Sequence, residues 1–235
     1  MATLHEDGFY WSHSKFTYRG EEQLTNVRYI TAYLRGKGWT DNAIAGVLGN
    51  MQSESGINPG AYYGYVEYSA VSFGVVQWDP TSKYRKWHDA NYPNEIYEHL
   101  GCQLERLLYE LENRIQFYST SEFPMSFKTF STSKEGPGYL AKAFVRNYER
   151  PASILYDPDK ETLAEHEEKK AKTYNQRAKQ AENWYAYITG QEWPYPESPE
   201  DSEGQEPGYT PTPGKGLSVL DTILYTRRRR IHVVR

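Results

Sequence analysis

The residue of greatest chemical interest is Glu54, in the stretch GNMQSESGINPG that runs from Gly49 to Gly60. Val47 lies seven residues earlier, so Glu54 continues the apolar stripe of a predicted helix. A carboxyl group that is shielded from water has a raised pKa, and the proton it keeps is what a general acid donates. Gly56 and Pro59 predict that the helix ends just beyond Glu54. We therefore expect Glu54 to lie at the edge of a cleft.

An aromatic, glycine-rich stretch comes after Glu54 and predicts the other wall of that cleft. Residues 56–80 read GINPGAYYGYVEYSAVSFGVVQWDP, with β-branched and aromatic residues between glycines, which indicates short strands joined by turns. The alternative for Glu54 is an ordinary solvated glutamate in the last turn of a helix, the usual place of this residue type. The neighbouring aromatic stretch favours the cleft.

The rest of the chain has mainly helical patterns. Apolar residues recur every three to four positions in several segments, and glycine, threonine or proline marks their ends. Thr40 is the predicted cap of the helix that carries Glu54, and Pro151 ends another helix. Helices are expected over residues 21–35, 41–55, 81–91, 96–118, 138–149 and 161–188. The predicted fold class is α+β, predominantly helical, with one small β lobe.

Several motifs together resemble a known family. NMQSESGINPGAYY followed by SFGVVQWDP is similar to the signature of lysozyme-like muramidases and lytic transglycosylases, in which a helix ends in Glu-Ser-Gly and a Gly-x-x-Gln comes after a hairpin. With GVLGNMQSESG, QWDPTSKYRKW and AFVRNYERPA added, the chain resembles the phage tail lysozyme family over residues 21–190. The resemblance implies a lysozyme-like fold that cleaves the β-1,4 bond between N-acetylmuramic acid and N-acetylglucosamine in peptidoglycan.

The same resemblance implies roles for individual residues. Glu54 matches the catalytic acid of the family, and Ser55 matches the serine beside it, whose hydroxyl can form hydrogen bonds within the site. Gln77 matches a glutamine that lines the sugar cleft, and Tyr148 lies in the NYERP motif that packs near it. These four assignments are expectations taken from the family.

A second carboxylate determines how the reaction continues after the proton is transferred. Glu67, in the predicted hairpin, is the first candidate for that catalytic group, and Asp79 beside Trp78 is the second. Inverting hydrolysis needs the second carboxylate about 6.5–9.5 Å from the acid, whereas retaining hydrolysis needs it at about 5 Å. The alternatives are a water held by polar groups alone, or attack by the muramyl 6-hydroxyl as in lytic transglycosylases.

Aromatic side chains near these motifs are candidates for sugar binding. Tyr62, Tyr63 and Trp78 combine apolar ring faces with polar edges, which suit the amphipathic faces of sugars. The alternative is that these rings hold the β lobe onto the helices.

Composition limits the remaining classes of function. The chain has 235 residues, a formal charge of −4 and one cysteine, so neither specific nucleic-acid binding nor an internal disulfide is expected. No apolar run reaches the length of a membrane span, and no cleavable secretion signal is expected. The six histidines lack metal-binding spacing, and GKG at residues 214–216 lacks the longer phosphate-binding pattern. No metal or cofactor is therefore predicted.

Cysteine catalysis by a peptidase or amidase is a further chemical alternative. Cys102 and His166 would form the pair, but Cys102 falls within a long helical pattern and His166 within the charged stretch AEHEEKK. We expect a buried thiol and an exposed histidine instead.

The chain divides by composition into four parts. These are an N-terminal arm (1–20), a lysozyme-like catalytic domain (21–190), an acidic, proline-rich linker (191–216) and a C-terminal docking segment (217–235) with a run of four arginines, Arg227–Arg230. The expected protein is a muramidase carried in the virion, made in the host cytoplasm without a signal peptide. Its docking segment would fasten it to other phage tail proteins, and its activity would aid tail penetration and genome delivery. Two alternatives stay open: a released endolysin, and a non-enzymatic tail component that binds glycan or plugs a tube.

Overall fold

A computed structural model describes residues 2–13, 20–64 and 71–191. Glu67, nearly all of the predicted linker and the whole docking segment with Arg227–Arg230 lie outside these residues. In chain order the elements are β1 Thr3–Leu4, β2 Tyr10–Trp11, α1 Glu21–Gly36, α2 Asp41–Ser55, β3 Tyr62–Tyr63, β4 Ser72–Phe73, α3 Ser82–Asn91, α4 Leu100–Glu112, α5 Phe127–Ser131, α6 Pro137–Phe144 and α7 Leu163–Ile188. The predicted class, α+β and predominantly helical, is confirmed. None of the helices in the described ranges is long and apolar enough to cross a bilayer.

Helix α2 lies at the centre of the helical part, with α6 and α7 packed against it. Its residues Val47, Leu48 and Met51 are fully buried. Gly49 permits the close approach of α7, because a Cβ atom there would lie 2.8 Å from the backbone oxygen of Arg177. A larger residue would force the two helices apart. The glycine therefore sets Arg177 beside the second half of α2.

Both ends of α2 form as the sequence predicts. The side chain of Thr40 accepts a hydrogen bond from the backbone N–H of Ala43 at 3.3 Å, which satisfies a free donor of the first turn. Gly56 adopts a left-handed conformation with φ of 64°, and its N–H bonds back to the carbonyl of Gln52. Glycine reaches this conformation without strain, so the helix ends directly after Glu54 and Ser55.

The β lobe that comes after α2 is small and is tied to α4. Strands β3 and β4 pair antiparallel, with Tyr62 opposite Phe73. Gln103 of α4 is bonded to the lobe through both polar atoms of its side-chain amide. Its Nε2 donates to the carbonyl of Pro59 at 2.7 Å, and its Oε1 accepts from the N–H of Val75 at 2.9 Å. These bonds hold the lobe over the C-terminal end of α2.

The segment before α1 also packs on the domain. Strands β1 and β2 form a hairpin, and Phe9 between them is fully buried in the core. The buried side chain of Asn26 in α1 donates to the carbonyls of Tyr10 and Ile57, both at 2.8 Å. One amide therefore joins the hairpin, α1 and the turn after Glu54.

The predicted long helix over residues 96–118 is wrong in extent, since α4 covers only Leu100–Glu112. The imidazole of His99 caps its start by accepting a hydrogen bond from the N–H of Cys102 at 3.3 Å. Arg114 has φ of 55°, which is incompatible with a continuing helix. The apolar residues that extended the pattern are instead exposed: Ile96, Ile115 and Tyr118.

The helix predicted to end at Pro151 changes type before it stops. Helix α6 passes into a π-helical turn, Val145–Glu149, and Arg150 then takes a left-handed conformation. The wider turn offsets side chains from the regular helical positions, and π turns of this kind occur often at functional sites. Here the turn carries Tyr148 and Glu149.

Candidate active site

Glu54 lies in the last turn of α2, where its side chain is 23% exposed and forms an ion pair with Arg177 of α7. The guanidinium of Arg177 is only 8% exposed and also donates through NH1 to the carbonyl of Asn50 at 3.2 Å. The helical pattern alone predicts apolar surroundings for Glu54. The structure instead places a buried cation against its carboxyl group.

A cleft of about 280 Å³ opens beside Glu54. Five of the residues predicted for the site line it: Glu54, Gln77, Trp78, Asp79 and Tyr148. The cleft is also lined by four polar residues that the sequence did not indicate: Lys83, Glu110, Gln116 and Glu149. The cleft thus brings together four carboxyl groups from separate parts of the chain.

Ser55 points away from the cleft and into the structure. It is 3% exposed, and its hydroxyl oxygen lies 3.0 Å from the carbonyl oxygens of both Met51 and Val75. The same oxygen accepts a hydrogen bond from the N–H of Ile57 at 3.2 Å. The hydroxyl therefore joins the end of α2 to the β lobe and positions the neighbouring Glu54.

Gln77 is held in place by the β lobe. Its φ of 51° is uncommon for a residue with a side chain, and such strain occurs often at ligand sites. Its amide donates to the carbonyls of Ala61 at 3.1 Å and Gly74 at 2.8 Å, while its Oε1 accepts from Ser72 at 3.1 Å. The side chain lines the cleft in a fixed orientation.

Trp78 and Tyr148 form the base of the cleft through a shared partner, Glu110. The indole N–H of Trp78 donates to Glu110 at 3.0 Å, and the hydroxyl of Tyr148 donates to the same oxygen at 2.6 Å. Both rings are nearly fully buried, and burial next to Glu110 raises the pKa of Tyr148 well above its usual range. Tyr148 therefore stays a neutral donor.

Asp79 is exposed and is the one predicted second carboxylate that the described residues place in the cleft lining. The predicted sugar-binding residues Tyr62 and Tyr63 lie on β3, outside that lining. Tyr62 is half-buried against the core, whereas Tyr63 is 67% exposed.

Comparison with known proteins identifies the family. The profile of the phage tail lysozyme family matches residues 25–188, which include every cleft residue named above. This chain belongs to the phage tail lysozyme family. It is also 38% identical over 180 residues to Morphogenesis protein 1 of Bacillus phage B103, an alignment that covers 76% of this chain and 43% of that protein. The chain therefore spans less than half the length of that relative.

Glu149 is the least expected feature of this phage lysozyme-like domain. Its side chain is 5% exposed, and neither carboxyl oxygen has a hydrogen-bond donor within range among the described residues. Its Oε2 forms a long ion pair with NH2 of Arg177 at 3.5 Å. Burial raises the pKa of Glu149 well above its usual range, and the charge of nearby Glu54 raises it further, against the opposing effect of Arg177.

The cysteine alternative does not fit the structure. Burial raises the pKa of Cys102 to about 12, which disfavours the thiolate that a nucleophile needs. The expectation of an exposed His166 is wrong, because its ring is 4% exposed and its Nδ1 lies 3.0 Å from Glu161. The carboxylate partner accounts for this burial of a polar ring.

The structure also brings together His5, Asp7 and His99, whose candidate ligand atoms lie within 4.8 Å of one another. The N–H of Cys102 donates to Nδ1 of His99, so the ring proton lies on Nε2, which contacts Asp7 at 2.8 Å. The N–H of Asp7 donates to Nδ1 of His5 at 3.2 Å. A metal-bound imidazole normally donates its second N–H, whereas both Nδ1 atoms here accept. The group therefore fits a hydrogen-bonded contact between the N-terminal hairpin and α4 better than a metal site.

Proposed function

We propose that the chain is a peptidoglycan N-acetylmuramidase in which Glu54 is the general acid. The position of Glu54 supports this most strongly. Its partly exposed carboxyl group opens into a cleft from the last turn of α2, within the segment that matches the phage tail lysozyme family.

The proposed reaction begins with transfer of the proton of Glu54 to the glycosidic oxygen. The bond between that oxygen and C1 of the muramyl sugar breaks as positive charge develops on C1. Water then supplies a hydroxyl group to C1 and releases its proton to a base. Asp79 is our candidate for the base, because it is the exposed carboxylate of the cleft lining.

The size of the cleft indicates how a glycan strand would bind. Pockets for drug-sized ligands usually measure about 300–1,000 Å³. The cleft, at about 280 Å³, is thus suited to the sugar at the cleavage point, while neighbouring sugars lie on the open surface. Lys83 and Gln116 offer donors to sugar hydroxyls in the lining, and Tyr63, 67% exposed, offers a ring face outside it.

We also propose that this activity serves a phage particle. The relative in Bacillus phage B103 is named a morphogenesis protein, which favours a structural place in the virion over release as an endolysin. The docking segment would attach the chain to other tail proteins. Mass spectrometry of purified virions tests this location: peptides of the chain in the particle support it, and their presence only in the lysate rejects it.

Lytic transglycosylation is the second candidate, and the limited supply of bases favours it. Of the three further carboxyl groups in the lining, Glu110 is fully hydrogen-bonded and Glu149 is buried, so only Asp79 is accessible to a water molecule. If Asp79 is not the base, the muramyl 6-hydroxyl replaces water as the attacking group. Loss of hydrolysis in Asp79→Asn would indicate a base, whereas unchanged rates with an anhydro product would indicate transglycosylation.

Analysis of the products tests the proposal as a whole. Purified chain is incubated with peptidoglycan, and the soluble fragments are identified by mass. Fragments with reducing muramic acid ends support a muramidase, and anhydro-muramic ends support a transglycosylase. Absence of fragments at any pH rejects the enzyme and leaves a glycan-binding or structural component.

A further inference from the structure

We propose that Glu149 holds a proton in the free protein and passes it to Glu54 when substrate fills the cleft, while the closer contact of Arg177 shifts from Glu54 to Glu149. The inference rests on the proposed role of Glu54 as the acid. In this scheme Glu149 is a positioning residue, because it acts on the substrate only through Glu54.

The first observation is the isolation of the Glu149 carboxyl group. A buried carboxylate without hydrogen-bond donors is strongly destabilised relative to its neutral form. Both oxygens of Glu149 are inaccessible and lack donors within range in the described part of the chain. A proton removes this cost, and it also allows a hydrogen bond to Glu54, the neighbouring carboxyl group.

The second observation is the reach of Arg177. Its NH2 contacts Glu54 and lies 3.5 Å from Oε2 of Glu149, while NH1 is held by the carbonyl of Asn50 at 3.2 Å. A small rotation of the guanidinium about this anchored end is enough to change partner. The cation can thus follow the negative charge from one carboxyl group to the other.

The transfer leaves the charge of the buried site unchanged. Before it, the site holds ionised Glu54, the Arg177 cation and neutral Glu149; afterwards it holds neutral Glu54, the same cation and ionised Glu149. One O–H bond breaks on Glu149 and one forms on Glu54. Substrate that covers the exposed part of Glu54 removes water from its ionised form and so favours the second arrangement. After cleavage, Asp79 passes the proton that it took from water to the solvent, and Glu149 regains one proton from the solvent through Glu54, which restores the first arrangement.

Other charged groups of the cleft have little influence on this pair. Besides the two carboxyl groups themselves, the charged residues of the lining are Asp79, Lys83 and Glu110, and Arg177 of α7 contacts the pair from outside the lining. Asp79 and Lys83 are exposed and therefore screened by water. The charge of Glu110 is compensated by Arg106 at 2.7 Å.

The pH dependence of cleavage tests the proposal. In the wild type, loss of the shared proton leaves two carboxylates side by side. Because these charges repel each other, the proton is lost only at a higher pH. In Glu149→Gln only one carboxyl group remains beside Arg177. We therefore expect the rate of Glu149→Gln to begin its alkaline fall at a pH lower by about one unit or more than in the wild type. At any pH above this fall, the variant should be about tenfold slower than the wild type. Glu149→Asp, which keeps an ionisable group, should retain most of the wild-type limb, and exposed Glu112→Gln on α4 should leave the profile unchanged.

Two results would overturn the inference. One is a Glu149→Gln profile whose limb stays in place while the rate falls equally at all pH values, because this indicates structural support alone. The other comes from ¹³C NMR titration of glutamate carboxyl groups in the free wild-type protein, with Glu149→Gln used to assign the signal. A Glu149 that is ionised at neutral pH contradicts the proposal, and a protonated one supports it. Because this titration needs no activity, it separates failure of the inference from failure of the proposed muramidase.

Discussion

Two carboxyl groups, Glu110 and Glu149, line the same cleft but differ in the number of hydrogen bonds that they accept. Glu110 is 2% exposed and accepts four hydrogen bonds, two from Arg106 at 2.9 and 2.7 Å, one from Trp78 and one from Tyr148. Glu149 has no donor within hydrogen-bond range among the described residues. The lone pairs of Glu110 are thus all used, whereas burial without donors raises the pKa of Glu149 well above its usual range.

This difference indicates a structural role for Glu110 and fits the proposed proton-transfer role of Glu149. Glu110 uses its lone pairs to join α4 to Trp78 and Tyr148, and so it supports the lining of the cleft. A buried carboxyl group without donors keeps a proton that it can give away, provided that a cation stands ready for the resulting charge. Arg177 meets that condition for Glu149.

Replacement of Glu110 should give the largest loss of stability. In Glu110→Gln the buried Arg106 loses its counter-ion, and its contacts with the faces of Trp87 and Tyr109, at 5.6 and 5.4 Å, do not replace it. Breaking a buried ion pair by removing one partner costs about 3–5 kcal/mol. Urea unfolding measures the change, with exposed Glu112→Gln as the matched control. A loss below about 1 kcal/mol would refute the structural role of Glu110.

Removing one donor from the Glu110 network should have an intermediate effect. Tyr148→Phe deletes the hydroxyl that donates to the carboxylate at 2.6 Å, and a hydrogen bond to a charged group contributes about 1.5–3 kcal/mol. Tyr63→Phe removes an exposed hydroxyl and serves as the control. Equal unfolding free energies for the two variants would show that the bond to Glu110 does not stabilise the fold.

Replacement of Glu149 should leave stability at acidic pH almost unchanged and alter its pH dependence. The raised pKa of Glu149 contributes stability that is complete below the usual value of 4.5 and is lost as pH rises through the raised value of the folded state. Glu149→Gln has no such loss, so its stability relative to the wild type should increase by up to about 1.4 kcal/mol per pH unit in that window. Thermal unfolding at a series of pH values measures the difference. Parallel curves for the two proteins would mean that Glu149 is ionised in the folded state.

Local sequence patterns predict the position of Glu54, the proposed acid, but not the groups around it. Thr40 and Gly56 are signals read from neighbouring residues, and they correctly placed Glu54 in the last turn of a helix. The partners Glu149 and Arg177 lie 95 and 123 residues further along the chain, so only tertiary packing brings them together. No local pattern encodes that contact.

Part of the hydrogen-bond network around Glu110 can be predicted from the sequence. Arg106 and Glu110 are one helical turn apart in α4, a spacing that favours an ion pair. The burial of the pair depends on packing against Trp78 and Tyr148, which no local pattern encodes. The apolar pattern predicts a longer α4 than the structure shows. Ile96 and Tyr118 continue the apolar pattern, but the His99 cap and the left-handed Arg114 end the helix before them.

The most direct test of the account compares the wild type with Glu54→Gln on purified peptidoglycan. The substitution keeps the size of the side chain but removes the proton that Glu54 donates. Because general acid catalysis contributes about 10²–10⁴-fold, we expect cleavage to fall by at least about a hundredfold in a protein that remains folded and still binds soluble glycan fragments. A folded Glu54→Gln protein that cleaves peptidoglycan at the wild-type rate would contradict the account.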